Sequence, residues 1–183
     1  VFVVMHLASR KVVHFAITEH PTLVWIKQQV RYATFDGVRP KFLIHDNDGR
    51  YGQLGHTVRL FNESKGKAHS CRSTLAAWLW DTLNIRSVPI PYGAPNAAAH
   101  MERLIGTLRR ECLDHLLIWN ERHLHLVLSE MIKWYCGGRV HQGIQGIPDP
   151  DPSLAEPKPA VEDGHLVAHP ILGGLHHDYR LVA

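Results

Sequence analysis

Hydrophobic positions change period repeatedly along this chain, and the changes mark out its elements. Val1–Leu7 is a β-branched apolar run, Ala8–Lys11 is polar and turn-like, and Val12–Ile17 is a second run of strand composition. The pair predicts an antiparallel hairpin. Pro21 and Thr22 open a helix with Leu23, Ile26, Val30 and Ala33 on its buried face, and Asp36–Gly37 stops it. Phe42–Ile44 is a short strand running into His45-Asp46-Asn47-Asp48-Gly49. Gln53–Cys71 carries no sustained period and reads as a long loop. Ser73 or Thr74 caps the next helix, with Leu75, Ala76, Leu79 and Leu83 inward, and Arg86–Ile90 is a strand cut off by prolines. Tyr92–Pro95 is a Gly/Pro loop.

Ala94–His115 follows, with Met101, Leu104, Ile105, Leu108 and Cys112 as the stripe of an amphipathic helix. Asn120 caps another helix striped by Leu124, Val127, Leu128, Met131 and Tyr135 and ended by Gly137–Gly138. Pro148–Pro159 reads as an extended acidic linker, and the Gly-Gly in Ile171–Leu175 predicts a small terminal hairpin. The order is strand, strand, helix, strand, helix, strand, helix, helix. It predicts an α/β fold whose sheet starts antiparallel and continues through helical crossovers.

Composition narrows the classes. The 183 residues are 45% hydrophobic and 20% charged, as in a globular chain. A formal charge of +3, with 15 histidines that add charge below neutral pH, leans toward a polyanionic partner. Three cysteines, Cys71, Cys112 and Cys136, are too scattered for a disulfide framework and suit a reducing, cytoplasmic setting. No apolar run is long enough to span a bilayer. The chain opens mid-strand, without an initiator Met or a signal-peptide pattern, which suggests a start lying upstream.

Two acidic positions carry the candidate chemistry. Asp46 ends a buried strand, where acidic residues serve either a metal site or simply a turn. Glu102 sits in the first turns of the amphipathic helix, at the edge of its stripe, with small Ala98 and Gly106 one turn away. Arg109 falls on nearly the same face, with Arg103 and Arg110 about a quarter turn round. Two converging carboxylates repel and need a cation, and oxygen ligands select Mg²⁺ or Mn²⁺. The plain alternative is a solvated helix face with ordinary charge pairs. His123 and His125 point to different sides of their helix, His176-His177-Asp178 is at most a loose ion site, and Cys112 and Trp78 read as packing residues.

At these residues the chain resembles a family. IHDNDGRYG (44–52), PYGAPNAAAHMERLIGTLRRECLDH (91–115), NERHL (120–124) and RVHQGI (139–144) are similar to the catalytic cores of insertion-sequence transposases and retroviral integrases. These are the Asp-Asp-Glu recombinases. The likeness covers most of residues 1–147 and implies a ribonuclease-H-like mixed sheet with helices on both faces, followed by a linker over 148–164 and a tail over 165–183. It implies Asp46 and Glu102 as Mg²⁺ (or Mn²⁺) ligands and catalytic residues, Asn96 on the loop before the glutamate helix, and Arg103, Arg109 and Arg110 on DNA phosphates. It also implies DNA as partner and a homo-oligomer as working form.

The chain departs from the pattern in three places. The family's first strand, with its first aspartate, is missing ahead of Val1–Ile17, and no acidic residue precedes Glu19. The Asp46–Glu102 interval is enlarged within Gln53–Cys71, and Ala98 and Cys136-Gly137-Gly138 break familiar stretches. A truncated core with impaired strand transfer, or a catalytically inactive remnant that still binds nucleic acid, is the expectation.

Overall fold

The computed structural model describes residues 1–35, 40–46, 48–51, 75–91, 96, 98–150 and 164–182. The helix stop at Asp36–Gly37, the Gln53–Cys71 loop, the Ser73/Thr74 cap, the Tyr92–Pro95 loop and most of the Pro148–Pro159 linker lie outside them. The chain divides into two compact units, Val1–Ile17 with His100–Ala183, and Thr18–Ala99.

In the first unit, β1 (Phe2–Met5) and β2 (Val12–Ala16) form the expected antiparallel hairpin. The register slips between Val4 and Met5, a bulge that leaves Val13 43% exposed while Val12 is buried. The connecting turn closes through His6 N–H to Lys11 O, with Arg10 at a positive φ of 63°.

The hairpin rests on two helices, α3 (Ala99–Arg110) and α4 (Glu121–Gly137). Asn120 caps α4 by accepting the His123 N–H, and the chain leaves the helix at Gly138. Val127, Leu128, Met131 and Tyr135 are buried as their spacing predicts, and Leu124 packs partly buried against the same core. On α3, Leu104 and Leu108 are buried, but the stripe is turned from the predicted one. Ile105 is 47% exposed and Thr107 is buried in its stead. Beyond α4, Asp149 donates its N–H to Cys136 O, so the linker's first residues are tied to the end of the helix. The terminal hairpin of β5 (His165–Ile171) and β6 (His176–Val182) turns through Leu172, Gly173 and Gly174, all at positive φ. Glu130 anchors that turn by accepting the Leu172 N–H.

The second unit holds α1 (Leu23–Ala33), β3 (Phe42–His45), α2 (Leu75–Trp78) running into a π-helical turn at Leu79–Leu83, and β4 (Arg86–Pro89). Thr22 caps α1 by accepting the Trp25 N–H. Ile26 and Val30 of α1 are buried, as are Leu75, Leu79 and Ile85. Lys27 and Arg31 lie over the Trp78 ring, at 5.8 and 5.4 Å from its centroid, so Trp78 is a packing residue. β3 and β4 pair in parallel, as a helical crossover between strands requires.

The fold is thus mixed α/β. Its described strands form three two-stranded sheets, two antiparallel and one parallel. No described helix is long and apolar enough to cross a membrane.

Candidate functional site

Asp46 stands at the carboxyl end of β3 and is exposed, while Asp48 is half-buried. The strand end is pinned by His45. Its Nδ1 donates to Asp46 O at 2.6 Å, and its Nε2 accepts from the hydroxyl of buried Ser87 at 2.7 Å. Ile90 N–H closes on His45 O, fixing the end of β4 to the same place. The backbone of Asp46 is held while its carboxylate faces outward.

Glu102 lies in the first turn of α3 and is exposed. At about 100° per residue it sits about 160° round the helix from Leu104, nearly opposite the core and not at the rim of the buried stripe. Arg109 shares its column, and Arg103 and Arg110 form a second column about a quarter turn away. All three arginines are exposed. The space expected beside the carboxylate at Gly106 is filled. A Cβ there would meet Arg110 Nη1 at 2.9 Å, so the Arg110 guanidinium lies across the glycine. Asn96 is exposed.

The structure also shows a contact between the β1–β2 turn and the start of α3. Arg10, in the β1–β2 turn, donates from Nη2 to His100 Nε2 at 3.1 Å and from Nη1 to Leu7 O. Burial, then the charges of Arg10 and Arg103, pull the His100 pKa below its ordinary value, which keeps the ring a neutral acceptor. The Ser9-Arg10-Lys11 turn was the only signal for this in the sequence, and its partner lies 90 residues on.

Asp46 and Glu102 belong to different units. Their hard oxygen donors suit Mg²⁺ or Mn²⁺. Among the described residues no three His, Cys, Asp or Glu side chains gather as a metal site. The histidine candidates are otherwise engaged. His123 accepts the Trp119 N–H, His125 packs its ring 5.0 Å from that of Phe15, and His176 stacks on Trp134 and donates to Glu111 O.

Cys112 and Cys136 are buried thiols. Burial pushes the Cys112 pKa up to about 11 and raises that of Cys136, whose Sγ also receives the Val12 N–H. A Cys71→Ser variant is therefore expected to show no thiol reactive toward a disulfide reagent at pH 8 in the native state, and both remaining thiols in urea. Rapid native labelling of either cysteine would contradict this burial.

No protein-family model, curated protein or solved structure matches the chain.

Proposed function

We propose that this chain is part of an Asp-Asp-Glu recombinase catalytic core of the insertion-sequence transposase kind, with a ribonuclease-H-like fold, acting on DNA. The observation that carries this reading is the placement of the two motif carboxylates at element ends. Asp46 closes a strand of a parallel pair and Glu102 opens a helix, and both are exposed. The element order agrees, with an antiparallel hairpin, a helix, a strand, a helix and a parallel strand ahead of the glutamate helix. Asp46 and Glu102 would hold Mg²⁺ or Mn²⁺, which when bound activates a water or 3′-hydroxyl against a phosphodiester. The protein's own part is to supply the two carboxylates and to steady phosphates with Arg103, Arg109 and Arg110. Such contacts orient DNA without reading its sequence.

A second reading is a non-catalytic remnant that keeps DNA binding. The exposure of Arg103, Arg109 and Arg110, which can contact phosphates without a metal, favours it.

One experiment separates the readings. Supercoiled plasmid is incubated with the chain in Mn²⁺ beside Asp46→Asn and Glu102→Gln, and duplex binding is followed by anisotropy against salt. Nicking lost in both variants supports the recombinase. Binding without nicking supports the remnant, provided Arg103→Ala, Arg109→Ala and Arg110→Ala each lower the salt slope by about 0.9. Neither nicking nor salt-dependent binding overturns both.

A further inference from the structure

The terminal hairpin presents an apolar face that nothing among the described residues covers. In its antiparallel register Leu166 pairs with Leu181, Ala168 with Tyr179 and Pro170 with His177. Residues directly opposite share a face, and all six are exposed, Leu166 at 66% and Tyr179 at 62%. The other face carries Ile171 with His176 and His169 with Asp178, and it turns toward α4, where His176 stacks on Trp134. Among the described residues the sheet has two strands, and no described strand pairs with the outer edge of either.

The two edges are not equivalent. β5 contains Pro170, and a proline on an edge strand removes a donor and blunts the edge. β6, HHDYRLV, has no proline, glycine or lysine to guard it. A proline in a two-stranded ladder sits with its nitrogen facing away from the partner strand. Antiparallel pairs alternate in this respect. The Pro170–His177 pair therefore turns its amides outward, and Tyr179 and Leu181 do the same two and four residues on.

We propose that β6 pairs antiparallel with β6 of a second copy of this chain, about a two-fold axis at Tyr179. The argument is one of register. Outward amides meet outward amides only when the axis passes through a residue, not between two. An axis at Asp178 sets Asp178 against its own copy, and an axis at Arg180 sets Arg180 against its own. The axis at Tyr179 sets Asp178 opposite the other copy's Arg180 twice, with the tyrosines side by side and Leu181 opposite His177. Within one strand Asp178 and Arg180 already form an ion pair, at 2.9 Å, so the same two charges exchange partners across the axis. An isologous interface requires this self-complementarity. The proposal stands on the hairpin alone and does not rest on the recombinase reading.

The test is sedimentation of the full chain across micromolar concentrations. Wild type is expected to show a reversible monomer–dimer equilibrium. Asp178→Arg and Arg180→Asp each turn both cross-axis pairs into like charges and should weaken association about tenfold or more. An equimolar mixture of the two variants restores opposite charges and should dimerise like wild type. A monomeric wild type, single variants that dimerise unchanged, or a mixture that stays monomeric overturns the proposal. Hydrogen exchange on the unmutated chain gives a readout independent of variant folding. The amides of His177, Tyr179 and Leu181 should slow as concentration rises, while those of Asp178 and Arg180 hold constant. Concentration-independent exchange at all five refutes the pairing.

Discussion

Leu104→Ala is expected to lower the unfolding free energy by about 3 kcal/mol, and Ile105→Ala by less than about 1 kcal/mol. The two leucine-sized side chains are neighbours on α3 and equally apolar, so propensity and hydrophobicity do not separate them. Phase does. Leu104 is fully buried against Leu108, Cys112 and the α4 face, and truncating it removes contacts and leaves a cavity that close-packed neighbours fill only in part. Ile105, 47% exposed, loses little on truncation. Urea titration of both variants reads the difference directly as a shift in midpoint at constant slope. Equal costs, or a larger cost at Ile105, would return the helix to the phase its sequence suggests and swing Glu102 toward the core. The proposed DNA-facing surface therefore depends on this comparison as much as the core does, since one rotation sets both.

The phase error shows what the amino-acid pattern carries and what it does not. Elements whose apolar residues repeat cleanly were legible, including the β1–β2 hairpin, the Thr22 cap and face of α1, and the Asn120 cap and stripe of α4. On α3 three aliphatic residues fall within five positions, and periodicity alone admits a stripe centred on either side of Leu104. Thr107 decides it by being buried where periodicity expects Ile105, a choice settled by neighbours far along the chain. Among the described residues the strands pair two by two, and how such pairs join depends on long-range geometry that strand composition does not encode. At the candidate site, local motif and position single out Asp46 and Glu102, and both stand exposed at element ends. The arginine that reaches His100 was not found. It sits in a turn that looked merely polar, and its partner is remote in sequence. Nor did the spacing of Gly106 reveal that the Arg110 guanidinium occupies the room the glycine leaves.

Trp134→Ala is expected to cost about 2 kcal/mol and to release the terminal hairpin locally before the rest of its unit unfolds. Trp134 is the plate on which three things meet. The His176 ring stacks on it with centroids 4.3 Å apart and planes 12° from parallel. The Arg139 guanidinium lies 5.6 Å from its centroid. Gly138 passes so close that a Cβ would approach the indole Cδ1 to 3.0 Å. Arg139 keeps its bidentate pair with Glu111 when the ring is removed, and that pair is only partly buried, so its contribution is modest. His176 keeps its bond to Glu111 O at 2.7 Å, and Leu172 N–H keeps Glu130, but two hydrogen bonds replace a stacked face and exchange with water on opening. A two-stranded hairpin has little stability of its own, so the loss concentrates in β5 and β6. Hydrogen exchange resolves this, with β5–β6 amides losing protection in Trp134→Ala while the β1–β2 amides keep theirs, and with Trp134→Phe in between. Unchanged protection in β5–β6 would mean that the hairpin is held by its turn and not by the ring. Because the outward edge of β6 is the surface argued to meet a second copy, the same substitution should weaken self-association through a loosened strand, with Asp178 and Arg180 both still in place.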